Sequence, residues 1–329
     1  MTFGALVSHP HRLLIQSRSS PISRTAVLFT VGLATVGVVN SIATQFKIAS
    51  LPNMWSLVAA VVAVDVLSQL TPRTKIVAAV QTAIFGILYL VTTSLCGILA
   101  AYSMQRWAFP IQDRHLMSAD MALGFDWFAY AHWIDKHPAV QEVIRFAYNT
   151  IMAQIALPLV VLAFSNRVRD VRVYLLTFVI AFTITIFVSA LMPAAGPITF
   201  VDRSTFDILK FTGATPIDHL THLREAGPMI LRDMPGGIAT FPSFHATIAI
   251  LTPLVLRSYP RIFIALLILD AAMLGGTITE GAHYFSDVIA GAGVAFFAYF
   301  LAGRIVRFED RAFDSCGDIA DPDLAAQAS

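Results

Sequence analysis

Long apolar runs separated by short polar segments are the feature that most constrains how this chain can fold. A helix needs about 20 apolar residues to cross a lipid bilayer, and eight runs approach or reach that length: 25–44, 53–70, 76–101, 146–165, 171–192, 243–257, 261–279 and 284–303. Only 13% of the residues are charged, whereas soluble domains carry about 25%. The sequence therefore predicts an all-α fold, a polytopic integral membrane helix bundle with eight transmembrane helices.

The apolar runs divide the chain into three parts. Residues 1–23 form a polar, basic N-terminal segment, and residues 24–308 form the membrane-embedded domain. Residues 309–329 are acidic and rich in alanine, which predicts a disordered tail. We expect no cleavable signal, because the first apolar run is long enough to act as an anchor. A net charge of +1 argues against nucleic acid as a partner.

Basic residues predict the orientation of the bundle. Short arginine-rich segments precede the first run, follow the last run and join the runs on one face, and the positive-inside rule makes that face cytoplasmic. Both termini are then cytoplasmic. The opposite, extracytoplasmic or lumenal face carries two longer segments. Residues 105–145 are rich in aromatic side chains and predict an interfacial helical segment, and residues 193–241 are interpreted as a lid.

Two histidines lie where apolar runs begin or end on the predicted outer face. His283 and Asp287 are four residues apart, so they would share one face of a helix. A carboxylate on one imidazole nitrogen fixes the tautomer and leaves the other nitrogen as nucleophile or base. The plain alternative is a pair that only ties two helices together. A second histidine, His245, at the same face favours a functional site.

The segment around His245 adds a place for an anion. Ser243 precedes a helical run and is a favourable N-cap. The free N–H groups of the first helical turn suit phosphate, and His245 in that turn could donate a proton to a leaving oxygen. Simple capping is an equally good explanation of Ser243 and does not exclude the other role.

The two motifs in this order, PSFHA and then HYFSD, resemble those of the phosphatidic acid phosphatase type 2 superfamily, which read P-S-x-H and H-x-x-x-D. The sequences TFPSFHA and GAHYFSDVIAG are most similar to the branch that contains inositol phosphorylceramide synthase. The segments DRHLMSADMALGFDW, HPAVQEVIRFAYNTIMAQ and MPAAGP are also similar to that branch. The resemblance covers residues 114–291, about half of the chain.

This resemblance implies a lipid phosphatase or phosphotransferase that needs no metal and no other cofactor. His283 would attack phosphorus and form a phosphohistidine, and Asp287 would orient it. His245 would protonate the leaving alkoxide and then activate the acceptor. The implied partners are a lipid phosphate or phospholipid substrate in the membrane and an acceptor, either water or a lipid alcohol such as a ceramide or glycolipid.

The chain departs from the superfamily in its phosphate clamp. It contains no Arg-Pro pair, and Gly276 and Thr277 occupy the places of a usual Ser-Arg. A transition state with this much negative charge still needs cations or preorganised donors. We prefer Arg232 of the lid segment, thirteen residues before His245. Other candidates are Arg203, Lys210, Arg224, Arg114, Tyr148, Asn149 and Gln154, of which the last three could equally be helix-packing groups.

Two other classes of function stay open at this point. One is a membrane hydrolase in which His245, His283 and Asp287, with Glu280, hold a zinc ion. The other is a lipid carrier or transporter that couples transport to protons at the His–Asp pair. Transporter sites cluster near the bilayer midplane, whereas this pair lies near one face. A decayed enzyme that only binds lipid is a further alternative, given the missing clamp.

Overall fold

The computed structural model describes residues 21–49, 74–202, 205–206, 216–232, 238 and 240–320. Within these ranges α-helices account for most of the secondary structure. They are α1 (Arg24–Ala43), α2 (Lys75–Met104), α3 (Asp113–Ala122), α4 (Trp127–Asp135), α5 (Pro138–Asn149), α6 (Ile151–Phe164), α7 (Val168–Leu191), α8 (Pro216–Leu223), α9 (Phe244–Leu256), α10 (Pro260–Thr279) and α11 (Phe285–Ala320). Two 3-10 turns and two short strands, β1 (Phe46–Ile48) and β2 (Met229–Leu231), complete the described part.

Five helical stretches are long and apolar enough to cross a membrane: α1, Lys75–Trp107, α7, α10 and Phe285–Phe313. Helices α5 and α6 pass the same test only as a pair, and they meet at a bend of 50°. Helix α9 is apolar but has only 13 residues. The described part is therefore a helical membrane protein with five or six candidate spans, and the predicted number of eight is not confirmed.

The predicted runs and the observed helices agree in most places. The run 53–70 lies outside the described residues. The run 146–165 is broken at Thr150, whose hydroxyl donates to the carbonyl of Ala147 (2.6 Å), a kind of bond that often bends helices. The tail was expected to begin at residue 309, but α11 continues to Ala320.

Helix α7 lies at the centre of the bundle. It packs against α1, α2, α6 and α11, and most of its residues from Val171 to Ala181 are fully buried. The Tyr174 hydroxyl donates to the carbonyl of Ile155 in α6 (2.7 Å). A helix that is apolar on all sides is typical of such a central position, and it gives the surrounding helices a common core.

The bundle has an arginine-rich end and a histidine end. At the arginine-rich end, Glu309 and Asp310 of α11 pair with Arg172 of α7 (3.2 and 2.7 Å). Glu309 also accepts hydrogen bonds from the backbone and side chain of Thr25 at the start of α1 (3.0 and 2.7 Å). His245 lies in the first turn of α9, whose other end reaches the arginine-rich end.

The two strands are a small exception to the predicted all-α fold. They pair in parallel, with Phe46 opposite Met229 and Ile48 opposite Leu231. The pairing joins the segment that follows α1 to the predicted lid at the histidine end. Strands of three residues are too short to show the alternation by which a strand is predicted, so no sequence pattern indicates them.

Candidate active site

His283 and Asp287 form a buried pair at the junction of α10 and α11. The imidazole Nδ1 lies 3.1 Å from the Asp287 Oδ2, His283 is 7% exposed and Asp287 is completely buried. The pair was predicted to share one face of a helix, but His283 precedes α11, and Asp287 lies in its first turn. With the Nδ1 proton held by the carboxylate, Nε2 is the nitrogen left for chemistry.

Asp287 also caps the helix that carries it. Its Oδ2 accepts the backbone N–H of Tyr284 (3.1 Å), the residue immediately before α11. In a capping box, the side chain of the third helical residue accepts the backbone N–H of the N-cap residue. Asp287 and Tyr284 hold these two positions in α11. The position of Asp287 beside His283 is therefore restrained by the same bond that caps the helix.

Ser243 joins the start of α9 to this pair. As predicted, it is the N-cap of α9, and its Oγ accepts the N–H of Ala246 (3.3 Å). The same Oγ lies 3.5 Å from Nε2 of His283. Its backbone N–H donates to the carbonyl oxygen of Asp287 (3.1 Å). The free end of the His283 imidazole thus faces the N-terminus of α9, which is favourable for an anion.

His245 is held in this cluster by Tyr148 of α5. The two rings are stacked, with centroids 4.1 Å apart and planes inclined by 10°. A Cβ placed on Gly281 would lie 3.1 Å from the Tyr148 hydroxyl and 2.7 Å from Cδ2 of His283. Tyr148 therefore contacts one histidine with its ring and approaches the other with its hydroxyl. The structure thus brings His245 together with three other predicted site residues, which are Ser243, His283 and Asp287. Tyr148 lies next to both histidines.

The family comparison covers this cluster. The family model described as the PAP2 superfamily matches residues 114–301, more than half of the chain. The chain belongs to the PAP2 superfamily. Members of this superfamily are generally phosphatases or phosphotransferases, which indicates a membrane enzyme of the lipid phosphatase or phosphotransferase type. Comparison with curated proteins and with solved structures gave no match, and the PAP2 match distinguishes no branch within the superfamily.

Two buried aspartates of α3 anchor the loop that carries His283. Asp120 accepts the N–H groups of Phe285 (2.7 Å) and Ser286 (2.8 Å) at the start of α11. Asp113 accepts the Tyr284 hydroxyl (3.0 Å) and the backbone N–H groups of the Ala195–Gly196 turn (2.9 and 2.7 Å). Sequence reasoning assigned neither residue a role, because acidic residues in an interfacial helix normally face solvent.

The close approach of α9 and α11 depends on Gly291. A Cβ at this position would lie 2.3 Å from the carbonyl oxygen of Ser243 and 3.1 Å from Cβ of Ala246. The Thr247 hydroxyl donates to the Gly291 carbonyl (3.0 Å) and to that of Ser243 (3.0 Å) across the same contact. Only glycine therefore allows Ser243 to reach His283.

A further ion pair lies next to the Gly281–His283 loop. Nε of Arg145 in α5 is 3.4 Å from Glu280, which directly follows α10, and Nη1 lies 3.0 Å from Glu142. Burial raises the pKa of the Glu280 carboxyl, and the charge of Arg145 acts in the opposite direction. The sequence did not single out Arg145, because Glu280 is far away along the chain.

The basic residues that were predicted to replace the PAP2 clamp differ in exposure and in contacts. Arg232 is exposed just after β2 and makes no hydrogen bond or ion pair with any described residue. Arg224 is half-buried, its Nε and Nη2 have no partner within the described ranges, and burial lowers the pKa of its guanidinium. Arg114 is exposed on α3, and Arg203 and Lys210 lie outside the described residues.

Gln154 has the packing role that was its alternative interpretation. It is buried, and its side-chain amide donates to the Thr150 hydroxyl (3.0 Å) and approaches Sδ of Met273 (3.3 Å). The zinc alternative required His245, His283 and Asp287 to converge, with Glu280 as an optional further ligand. Among the described residues, no group of three or more His, Cys, Asp or Glu side chains is arranged to hold a metal ion.

Proposed function

We propose that the protein is a membrane enzyme that hydrolyses a lipid phosphate, or transfers its phospho-headgroup, through a phosphohistidine on His283. The observation that carries the proposal is the buried His283–Asp287 pair, whose free Nε2 faces the N-terminus of α9. This places a nucleophile beside a helix end that favours phosphate. We place the reaction at the extracytoplasmic or lumenal face, because the arginine-rich end lies opposite.

In the first step of the proposed reaction, Nε2 of His283 attacks phosphorus while Nδ1–H stays bonded to Asp287. The bond between phosphorus and the leaving oxygen breaks, and His245 in its protonated form gives that oxygen a proton. The phosphate oxygens bind the first N–H groups of α9 and the Ser243 hydroxyl. General acid help of this kind contributes about 10²–10⁴ in rate.

In the second step, the acceptor replaces His283 on phosphorus. Neutral His245 takes the proton of the acceptor hydroxyl, the acceptor oxygen attacks, and the bond between phosphorus and Nε2 breaks. Water as acceptor makes the enzyme a phosphatase, whereas a lipid alcohol makes it a transferase. The resemblance of the histidine motifs to inositol phosphorylceramide synthase supports transfer as the second candidate.

The transition state also needs positive charge. Arg232 is our proposed lid cation, because β2 attaches its segment to the histidine end of the bundle. Arg224 is the second choice, since two of its nitrogen atoms have no partner among the described residues. A proton-coupled lipid carrier is less well supported. The His283–Asp287 pair lies at one end of the bundle, and it leaves Nε2 of His283 free to act as a nucleophile.

A panel assay with the purified full-length protein in nanodiscs, with EDTA present, tests this proposal. Lipid phosphates and phospholipid donors are supplied with and without ceramide or glycolipid acceptors, and wild type is compared with His283→Ala. Phosphate release that is lost in the variant indicates a phosphatase, and headgroup transfer that is lost indicates a transferase. Activity that appears only after zinc is added, or turnover by His283→Ala at the wild-type rate, contradicts the proposal.

A further inference from the structure

A groove of about 460 Å³ opens at the arginine-rich end, away from the histidines. It lies between α7, α9 and α11, and we call it the arginine groove. Its cationic part includes Arg257 and Arg307, and its apolar part includes Val173, Leu254, Phe296 and Phe300. His245 and Arg257 lie twelve residues apart on and just beyond α9, so about 18 Å of helix separates the groove from the catalytic cluster.

Arg257 is fixed in place but keeps donors for a ligand. Its Nη1 donates to the carbonyl of Leu254 (2.8 Å) and to the Tyr299 hydroxyl. Its guanidinium carbon lies 5.4 Å from the centre of the Tyr299 ring. Nε and Nη2 have no partner among the described residues. Arg257 is therefore a preorganised cation with an open edge toward the groove.

The positive charge of the groove is not neutralised by its acidic neighbours. Arg307 is exposed and makes no hydrogen bond or ion pair within the described part of the chain. Arg169 and Asp170 also line the groove, but Arg169 pairs with Asp310 (3.0 Å) and Asp170 with Arg167 (2.5 Å). Arg257 and Arg307 are left as two cations that a ligand could pair with.

The apolar part of the groove continues onto the outer surface of the bundle. Phe296 and Phe300 are each 57% exposed on α11, a helix long and apolar enough to span the membrane. In a bilayer such side chains face acyl chains. A soluble anion would use only the arginines, whereas an amphipathic anion uses both parts of the groove.

We propose that the arginine groove binds an anionic phospholipid from the leaflet opposite the catalytic cluster. Its phosphate pairs with Arg257 and Arg307, and an acyl chain lies along Phe296 and Phe300. Juxtamembrane arginines attract anionic lipid in this way, and the fork of donors on arginine suits phosphate. This site is separate from the proposed catalytic function and does not depend on it.

The test is direct lipid binding measured by native mass spectrometry on the full-length protein in detergent. Phosphatidylglycerol is titrated against wild type, Arg257→Gln, Arg307→Gln and the double variant, and phosphatidylcholine is titrated in parallel. We expect each single variant to weaken phosphatidylglycerol binding about fivefold and the double variant more than tenfold, because one such arginine contributes about that factor. Arg261→Gln changes an exposed arginine in the first turn of α10, outside the groove lining, and should bind like wild type.

Several results would overturn the proposal. These are equal binding of phosphatidylcholine, unchanged binding in both single variants, or an equal loss in Arg261→Gln. Displacement of the lipid by millimolar inorganic phosphate would show that the groove takes a soluble anion instead. A lipid bound at the catalytic cluster would be retained by all groove variants. The experiment measures binding and not turnover, so a result that overturns the groove proposal leaves the catalytic proposal unaffected.

Discussion

At the scale of single residues, one oxygen atom connects helix formation to the proposed chemistry. Oδ2 of Asp287 lies within hydrogen-bond distance of Nδ1 of His283 and accepts the backbone N–H of Tyr284, both at 3.1 Å. A carboxylate that is held by a backbone amide has little freedom to rotate away from the imidazole. Asp287 thus orients His283 because it also caps α11.

Tyr148 gives a prediction at the same scale. Replacing it by leucine removes the aromatic face on which the His245 ring is stacked, and such pairs contribute about 0.5–1.5 kcal/mol. We expect Tyr148→Leu to lower kcat/KM by up to about tenfold, while Tyr148→Phe keeps the stack and most of the activity. Steady-state kinetics with the substrate found in the panel assay measure both. Wild-type kcat/KM in Tyr148→Leu would exclude a positioning role.

The site residues that could be predicted from the sequence and those that could not differ in how far along the chain their partners lie. His283 and Asp287 are four residues apart, so their pairing could be predicted from spacing. Asp120 bonds to amides 165 and 166 residues away, and Asp113 to a hydroxyl 171 residues away. Contacts of that range leave no local pattern in a single sequence, so these two anchors appeared only in the structure.

At the scale of helices, the contact between α9 and α11 determines whether the cluster can form. Gly291→Ala would place a Cβ 2.3 Å from the Ser243 carbonyl oxygen, and overpacking of this kind costs typically about 1–3 kcal/mol. We expect a lower melting temperature in detergent and a loss of activity, because Ser243 moves away from His283.

Gly293→Ala is the matched control for this change. It lies two residues further along the same helix, and a Cβ there would have nothing within 4 Å. In a helix, alanine is more stable than glycine by about 0.5–1 kcal/mol, so this variant should keep its activity and its melting temperature. Equal effects of the two substitutions would refute the close-contact explanation.

The length of the apolar runs predicted where most helices lie, but it did not predict where a helix is broken. The runs 25–44, 171–192 and 261–279 agree with α1, α7 and α10 to within a few residues, because a bilayer requires long apolar segments and little else. At the 50° bend, the Thr150 hydroxyl donates to the carbonyl of Ala147. Nothing in the hydrophobicity of the run 146–165 distinguishes a straight helix from a bent pair.

At the scale of the whole molecule, the two ends of the bundle have different chemistry. The arginine-rich end is tied together by Glu309 and Asp310, which link α11 to α7 and α1. The histidine end is tied together by Asp113 and Asp120, which hold the loop before α11. The positive-inside rule predicts that the arginine-rich end is the cytoplasmic one.

This orientation leads to a prediction for the termini. If the arginine-rich end is cytoplasmic, an epitope tag on either terminus should be shielded from outside reagents in intact cells and become accessible after permeabilisation. Antibody labelling before and after detergent treatment measures this. Labelling of either tag in intact cells would reverse the orientation and place the histidine cluster on the cytoplasmic face.

The most direct test of the account is to trap the covalent intermediate. A donor labelled at phosphorus is mixed with the full-length protein in the presence of EDTA, and the reaction is quenched within one turnover. We predict an acid-labile, alkali-stable label on the peptide that contains His283, and no label in a folded His283→Ala variant. Turnover that proceeds with no label on His283, or a label on a different residue, would contradict the proposed role of this histidine.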